Sequence, residues 1–539
     1  MKVLIIGLDG ATWDVLTDDV LEQHMPSLYG LKKSGTSGVL ESTIPAITAA
    51  AWPTCISGCH PKTHGLATFQ QYSFKDNSYY ITNSTHISVP NMWHYLGEKG
   101  LRVASINVPM TYPVYPVNGY MISGFGCPGV FCDFVYPHDF KEKLLKQIPD
   151  YEVFLNLWHF KKHNEGLGKT KVLFEENIEK VKRCFDYRLE AARLIQSESP
   201  MDVMMVQFQQ IDQLQHLCWP YLSAKTRDRY PWHRDQLFNL YRHLDRIIGQ
   251  LLEELDSGGL AIVVSDHGFG PNPYYININK ILTDWGYIKR ADAFHRMGRR
   301  VHRNLLKFQK KHHAKMTVSL KRPVDWGKTK AMVLSSSVQG ILYVNVKGRQ
   351  PDGCVEPGQE YDSVIRELKE RLSEITNPHN HERVFKRIGT PQEIYGSPSV
   401  SCETFGDLML VQNSNYFIRL SMKQDLPHIE LRPGDSLDAS GHYGNGLYVI
   451  SGKGMRTNHS VQAHIGDIAP TIYTWLKMAI PAEVDGSVIL EAFEAPPQVN
   501  QRSEVKYPAS FRQEGSESEV STPEEEKALT EQLKGLGYL

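Results

Sequence analysis

Leu260-Ala261-Ile262-Val263-Val264 runs directly into Ser265-Asp266-His267-Gly268. The five apolar residues, bounded by Gly258-Gly259 and Gly268, read as a buried strand with a carboxylate and an imidazole at its end. Adjacent side chains on a straight strand point to opposite faces. Asp266 and His267 converge only where the strand ends in a turn, which Gly268 and Gly270 permit. An Asp and a His delivered together make half of a metal site, and the other half must come from elsewhere in the chain.

Along the chain, strands ending in Gly or Asp alternate with amphipathic helical stretches, the pattern of an α/β protein with a largely parallel sheet. Strands are predicted at 3–8, 102–108, 203–208, 260–264, 340–346 and 446–450. Helices are predicted at 92–97, around 175–195, at 236–255 and around 361–375. Two segments read as insertions on this frame. Residues 130–170 are rich in aromatics and Lys with no clear βα rhythm. Residues 289–322 hold twelve Lys or Arg against one acid, Asp292. Phe294, Met297, Val301, Leu305 and Phe308 recur there at helical spacing, which predicts a basic amphipathic helix. A solvated face over a core stripe is its plain reading; a lid for an anionic substrate, or peripheral contact with acidic lipid, are the sharper ones. Residues 496–521 read as a linker. Thr522-Pro523-Glu524-Glu525 opens a C-terminal helix over 522–539, with Thr522 as cap and Glu525 closing a capping box.

Composition narrows the function classes. The 539 residues are 41% hydrophobic and 10% aromatic, ample for a packed core, and carry a formal net charge of -1. That balance argues against a global commitment to nucleic acid or membrane. No signal peptide is visible, and no apolar run reaches spanning length. Eight scattered Cys without the spacing of a zinc ribbon predict reduced thiols in a cytoplasmic protein.

Ligands in open α/β sheets bind beyond the carboxyl ends of the strands, so Asp9, ending the first strand between Gly7 and Gly10, can share a crevice with Asp266 and His267. Asp212 and His216 follow the third strand at a spacing of four, which puts both on one face of a helix. Each pair has a plain reading as well, a turn former or a helix cap. His442 is expected in a glycine-flanked loop, Gly441-His442-Tyr443-Gly444-Asn445-Gly446, and has the weakest spacing of the set. Thr48 lies where Pro45-Ala46-Ile47 turns into the Ala-rich helix start Thr48-Ala49-Ala50-Ala51-Trp52. A hydroxyl there meets free N–H groups and a dipole that favour phosphate, although a simple Thr N-cap is the commoner job.

The ordered set Asp9, Thr48, Asp212-x-x-x-His216, Asp266-His267 and His442 resembles the alkaline phosphatase superfamily, closest to its type I phosphodiesterase and nucleotide pyrophosphatase branch. The flanks agree: Gly7-Leu8-Asp9-Gly10, Ser57-Gly58-Cys59-His60-Pro61-Lys62-Thr63-His64-Gly65, Val324-Asp325-Trp326 with Tyr343-Val344-Asn345, Gly466-Asp467-Ile468-Ala469-Pro470-Thr471 and Leu536-Gly537-Tyr538-Leu539. The resemblance implies an alkaline phosphatase-like α/β catalytic domain over 1–495, its sheet flanked by helices on both faces. It implies two divalent metal ions, one on Asp212, His216 and His442, the other on Asp9, Asp266 and His267 with Thr48 beside it as nucleophile. Asp and His donors suit zinc, and manganese accepts them too. The expected activity is metal-dependent hydrolysis of a phosphate ester of a small molecule, diester or pyrophosphate ahead of monoester, through a phospho-threonine.

One departure matters. Many nucleotide pyrophosphatases carry an Asn shortly after the His-Gly that follows the nucleophile helix, and this chain has Phe69 at about that place, which weakens the case for nucleotide diesters. A sulfatase would need Cys or Ser at position 48 followed by Pro and Arg. The remaining alternatives are a phosphomutase or phosphoryl transferase on the same site, and a non-catalytic binding protein that kept the fold.

Overall fold

Val3–Leu8, Val203–Phe208 and Leu260–Val264 are almost wholly apolar, and each forms a strand buried along its whole length. A parallel sheet covered on both faces demands such runs. The computed structural model describes residues 1–75, 77–157, 170–291, 318–319, 324–335, 339–432, 439–505 and 522–535. Among these, the largest sheet has ten strands. Its order runs His459–Ser460, Thr36–Glu41, Asn445–Ser451, Leu260–Val264, Val3–Leu8, Val203–Phe208, Val103–Val108, Gly119–Ser123 and Val135–Tyr136, with Ala463–His464 also on Thr36–Glu41. The five strands from 260–264 to 119–123 are mutually parallel, and Asn445–Ser451 runs against its neighbours.

The period-two alternation divides the core. Leu4, Ile6 and Leu8 pack with the helices Pro26–Ser34, Lys171–Glu198, Gln210–Leu222 and Pro231–Leu252. Val3 and Ile5 face the other way, onto Thr48–Ser57, Met92–Glu98 and Ile468–Trp475. Helices thus cover both faces, and strand carboxyl ends share one edge where connecting loops converge.

The strand expected at 340–346 exists as Gly340–Val344 but lies outside this sheet. It belongs to an antiparallel sheet ordered Ala331–Ser335, Gly340–Val344, Leu408–Gln412, Phe385–Gly389, with its own core under Gln359–Ser373. Apolar content alone does not distinguish a parallel from an antiparallel buried strand. The 130–157 stretch supplies the edge strand Val135–Tyr136 and the helix Phe140–Gln147. Residues 158–169 and most of the basic helix (292–317 and 320–323) lie outside the described residues, as do 506–521 and 536–539. Val318–Ser319, within the stretch read as basic helix, pairs as a strand with Ser78–Tyr79 instead. Thr522 and Glu525 make the reciprocal capping bonds, at 2.8 and 3.2 Å. Among the described residues no helix is long and apolar enough to cross a membrane, and all eight cysteines are free thiols.

Candidate active site

The strand Leu260–Val264 stops before Ser265, and the chain bends through Asp266 and His267 into the short strand Gly268–Pro271. That strand pairs antiparallel with Ser440–Tyr443, placing Phe269 opposite His442. Gly268 has no left-handed φ; a Cβ there would lie 1.9 Å from the Asn445 carbonyl oxygen, so it is needed for close approach and not for turn geometry. His442 is correspondingly on a strand and not in a loop. This two-stranded ribbon, invisible to local spacing, is what delivers it. Gly10 does use left-handed backbone, at φ 68°, as the chain turns after Asp9 beside Asp212.

Thr48 is the first residue of its helix, and the capping position itself belongs to Ile47, in extended conformation. The plain N-cap reading therefore falls. Its hydroxyl lies 3.5 Å from Asp9 Oδ1 and 3.4 Å from His267 Nε2. Asp212 and His216 share one face of Gln210–Leu222 as their spacing predicts. All seven sequence-predicted residues are brought together: Asp9, Asp266 and His267 form one set and Asp212, His216 and His442 the other. His267 and His442 stack with ring centroids 3.7 Å apart, so the sets adjoin.

The donor atoms fit cations. Metal–ligand bonds of about 2.0–2.1 Å put the corners of a tetrahedron roughly 3.3–3.4 Å apart. In the first set His267 Nε2 is 3.4 Å from Asp266 Oδ2 and 3.8 Å from Asp9 Oδ1. In the second, Asp212 Oδ1 is 3.5 Å from His216 Nε2 and 3.1 Å from His442 Nε2, and the two imidazole nitrogens are 3.0 Å apart. The other polar atoms of the first set are already engaged. His267 Nδ1 donates to the Gly268 carbonyl at 3.1 Å, which leaves Nε2 as the free lone pair. Asp266 Oδ1 accepts from Gly10 N at 3.0 Å, while its Oδ2 is buried without a hydrogen bond.

Electrostatics agree. Burial, then the neighbouring Asp266 and Asp212 carboxylates, push Asp9 well above the usual carboxylate range. Burial raises Asp266 too, against an opposing pull from His267. Burial lowers His267, and takes His442 down to about 3, so both imidazoles stay neutral, the form that binds metal. Three carboxylates crowded out of water are unfavourable until a cation neutralises them.

Sequence reading missed two residues that grip Asp9: Trp52 Nε1 donates to Oδ2 at 2.7 Å and Gln207 Nε2 at 2.8 Å. Signals for both existed. Trp52 is one helical turn beyond Thr48, and Gln207 is the one polar residue in an apolar strand. Phe69 is buried against Phe125, centroids 4.9 Å apart, so no amide occupies that place.

Residues 3–441 match the family model for type I phosphodiesterase / nucleotide pyrophosphatase. The chain belongs to that family. As a type I phosphodiesterase family member it is a phosphoric ester hydrolase of a metal-dependent class. Solved structures with a similar fold include phosphonoacetate hydrolase from Sinorhizobium meliloti 1021 with phosphonoacetate, at 15% identity and TM-score 0.50, covering 85% of this chain and 91% of that one. Human ectonucleotide pyrophosphatase / phosphodiesterase 5 is similar at 13% identity and TM-score 0.50, covering 92% and 100%. No curated protein matches in sequence. The fold is alkaline phosphatase-like.

Proposed function

We propose that this phosphodiesterase family member cleaves a phosphodiester or pyrophosphate of a small molecule through a phospho-threonine at Thr48, with two divalent cations. Asp9, Asp266 and His267 would hold one and Asp212, His216 and His442 the other; the N/O donor set suits zinc, with manganese second. The observation that carries this reading is the Thr48 hydroxyl, at the first helical position and within 3.5 Å of both Asp9 and His267. When bound, the cations supply Lewis acidity, lowering the proton affinity of the attacking hydroxyl and offsetting charge on the phosphoryl oxygens. Thr48 Oγ1 bonds to phosphorus as its proton passes to solvent water, and the P–O bond to the leaving group breaks, the departing oxygen keeping the bonding pair. At the head of the helix the Thr48 and Ala49 N–H groups would orient the equatorial oxygens, those of Ala50 and Ala51 being taken by the Ile47 carbonyl at 2.9 Å. Water then attacks phosphorus and frees Thr48. Phe69 offers no hydrogen bond to phosphate, which supports a substrate other than a nucleotide diester. Residues 1–495 would form the catalytic domain, with 130–170 and 289–322 as the segments that set specificity. The eight free cysteines support a reducing, cytoplasmic setting.

The test is turnover of bis(p-nitrophenyl) phosphate against p-nitrophenyl phosphate by the metal-loaded chain, with acid quenching to trap phosphate on the Thr48 peptide. Faster metal-dependent diester turnover with a trapped phosphopeptide is expected. No turnover of either ester, or full activity in Thr48→Ala, sinks the reading.

A further inference from the structure

Asp9 is held asymmetrically. Its Oδ2 accepts two short hydrogen bonds, from the Trp52 indole and the Gln207 amide, whereas its Oδ1 faces Thr48 Oγ1 at 3.5 Å and His267 Nε2 at 3.8 Å. Gln207 Nε2 also donates to Gln209 Oε1 at 3.1 Å, and the Gln209 side chain hydrogen-bonds Asp9 as well; a carboxylate oxygen only accepts, so it is the NH2 end of Gln207 that faces Asp9. Gly7, two residues before Asp9 and paired in register with Gln207, lies beneath both donors. A Cβ at Gly7 would come within 2.7 Å of the Trp52 ring and 3.0 Å of Gln207 Cγ. Any side chain there would lift the donors off the carboxylate.

We infer that Gly7, Trp52 and Gln207 form a clamp that makes Asp9 a one-oxygen metal ligand through Oδ1, on the side of the nucleophile. This rests on the proposed role of Asp9 and deepens it. With both lone pairs of Oδ2 engaged, the carboxylate cannot swing to chelate through two oxygens. The clamp residues are positioning residues, since they act only through Asp9. Two neutral N–H donors also stabilise the carboxylate without competing for the cation, as a Lys or Arg in their place would.

The test compares the full-length chain with Trp52→Phe, which keeps the ring and loses the N–H, and with Gln207→Leu, Gln207→Glu and Gly7→Ala. Metal content is followed during equilibrium dialysis of zinc-loaded protein against graded chelator. The wild type is expected to hold two equivalents. Each variant should lose about 10–100-fold in affinity for one equivalent and keep the other unchanged. The retained equivalent is the internal control for folding, and if Trp52→Phe sheds both, the two Gln207 variants decide. Wild-type retention of both equivalents in Trp52→Phe and Gln207→Leu overturns the clamp alone. A wild-type chain that binds no zinc or manganese overturns the two-metal reading and the clamp with it.

Discussion

The two candidate ligand sets are built from different kinds of structure. Asp9, Asp266 and His267 come from the ends of two adjacent parallel strands and are fully buried, with every spare polar atom of the Asp9 and His267 side chains engaged. Asp212 and His216 come from a helix and His442 from a two-stranded ribbon, and the His216 side chain keeps 12% of its surface in solvent. Strand ends of one sheet are fixed relative to each other by the hydrogen-bond ladder. The helix and the ribbon share no such ladder; packing and a hydrogen bond from Ser440 Oγ to the Gln215 carbonyl, at 3.3 Å, tie them. The first set is therefore preorganised beside the nucleophile, and the second is the more open half of the same site, suited to meeting a departing group.

That contrast can be broken. Thr48→Ala removes the hydroxyl that faces Asp9 and His267 and should lower kcat by roughly 10⁴-fold or more, as nucleophile deletions do, while metal content stays at two equivalents. Loss of metal in that variant would mean the hydroxyl is structural. Next in size, Asp266→Asn and His216→Ala should each weaken one metal by at least about 100-fold, beyond the 10–100-fold of an outer-shell loss. The comparison predicts an asymmetry between them. The single equivalent left in His216→Ala, on the buried set, should resist chelator. The one left in Asp266→Asn, on the open set, should exchange readily. Equal release rates would erase the distinction between the sets.

Legibility in the sequence follows the same division. Asp9, Asp266 and His267 announce themselves because an apolar strand ending in a charged residue is a local pattern, and the Asp212/His216 spacing is local as well. His442 is different. Its placement depends on Gly268–Pro271 pairing with Ser440–Tyr443 across some 170 residues, information that no local period contains. Gly340–Val344 reads correctly as a buried strand and wrongly as part of the main series for the same reason. The Trp52 and Gln207 donors were readable in principle, as a helical-turn neighbour and a lone polar residue in a buried strand, yet their target becomes visible only once strand register is known.

The smallest expected effect concerns stability, and it separates the site from the scaffold beneath it. His64 is fully buried at the end of the segment that follows the Thr48 helix, and burial lowers its pKa to about 3. Its Nδ1 accepts from Leu66 N at 3.2 Å, so the neutral ring must carry its proton on Nε2, 3.0 Å from Thr54 Oγ1. Protonating Nδ1 would break the first of these bonds inside the core. The folded pKa lies below the unfolded value near 6.5, so the unfolded chain takes up the proton first. Stability is then complete above about pH 6.5 and falls as pH drops toward 3. By linkage, about 2 kcal/mol should be lost between pH 6.5 and 5 from this group alone. Urea unfolding at several pH values, for the wild type and for His64→Gln, measures it. The variant should be less stable at pH 7 but show a shallower fall with acid, by close to one proton. An unchanged slope would assign the acid sensitivity to the metal-binding histidines instead, and adding zinc should then suppress it.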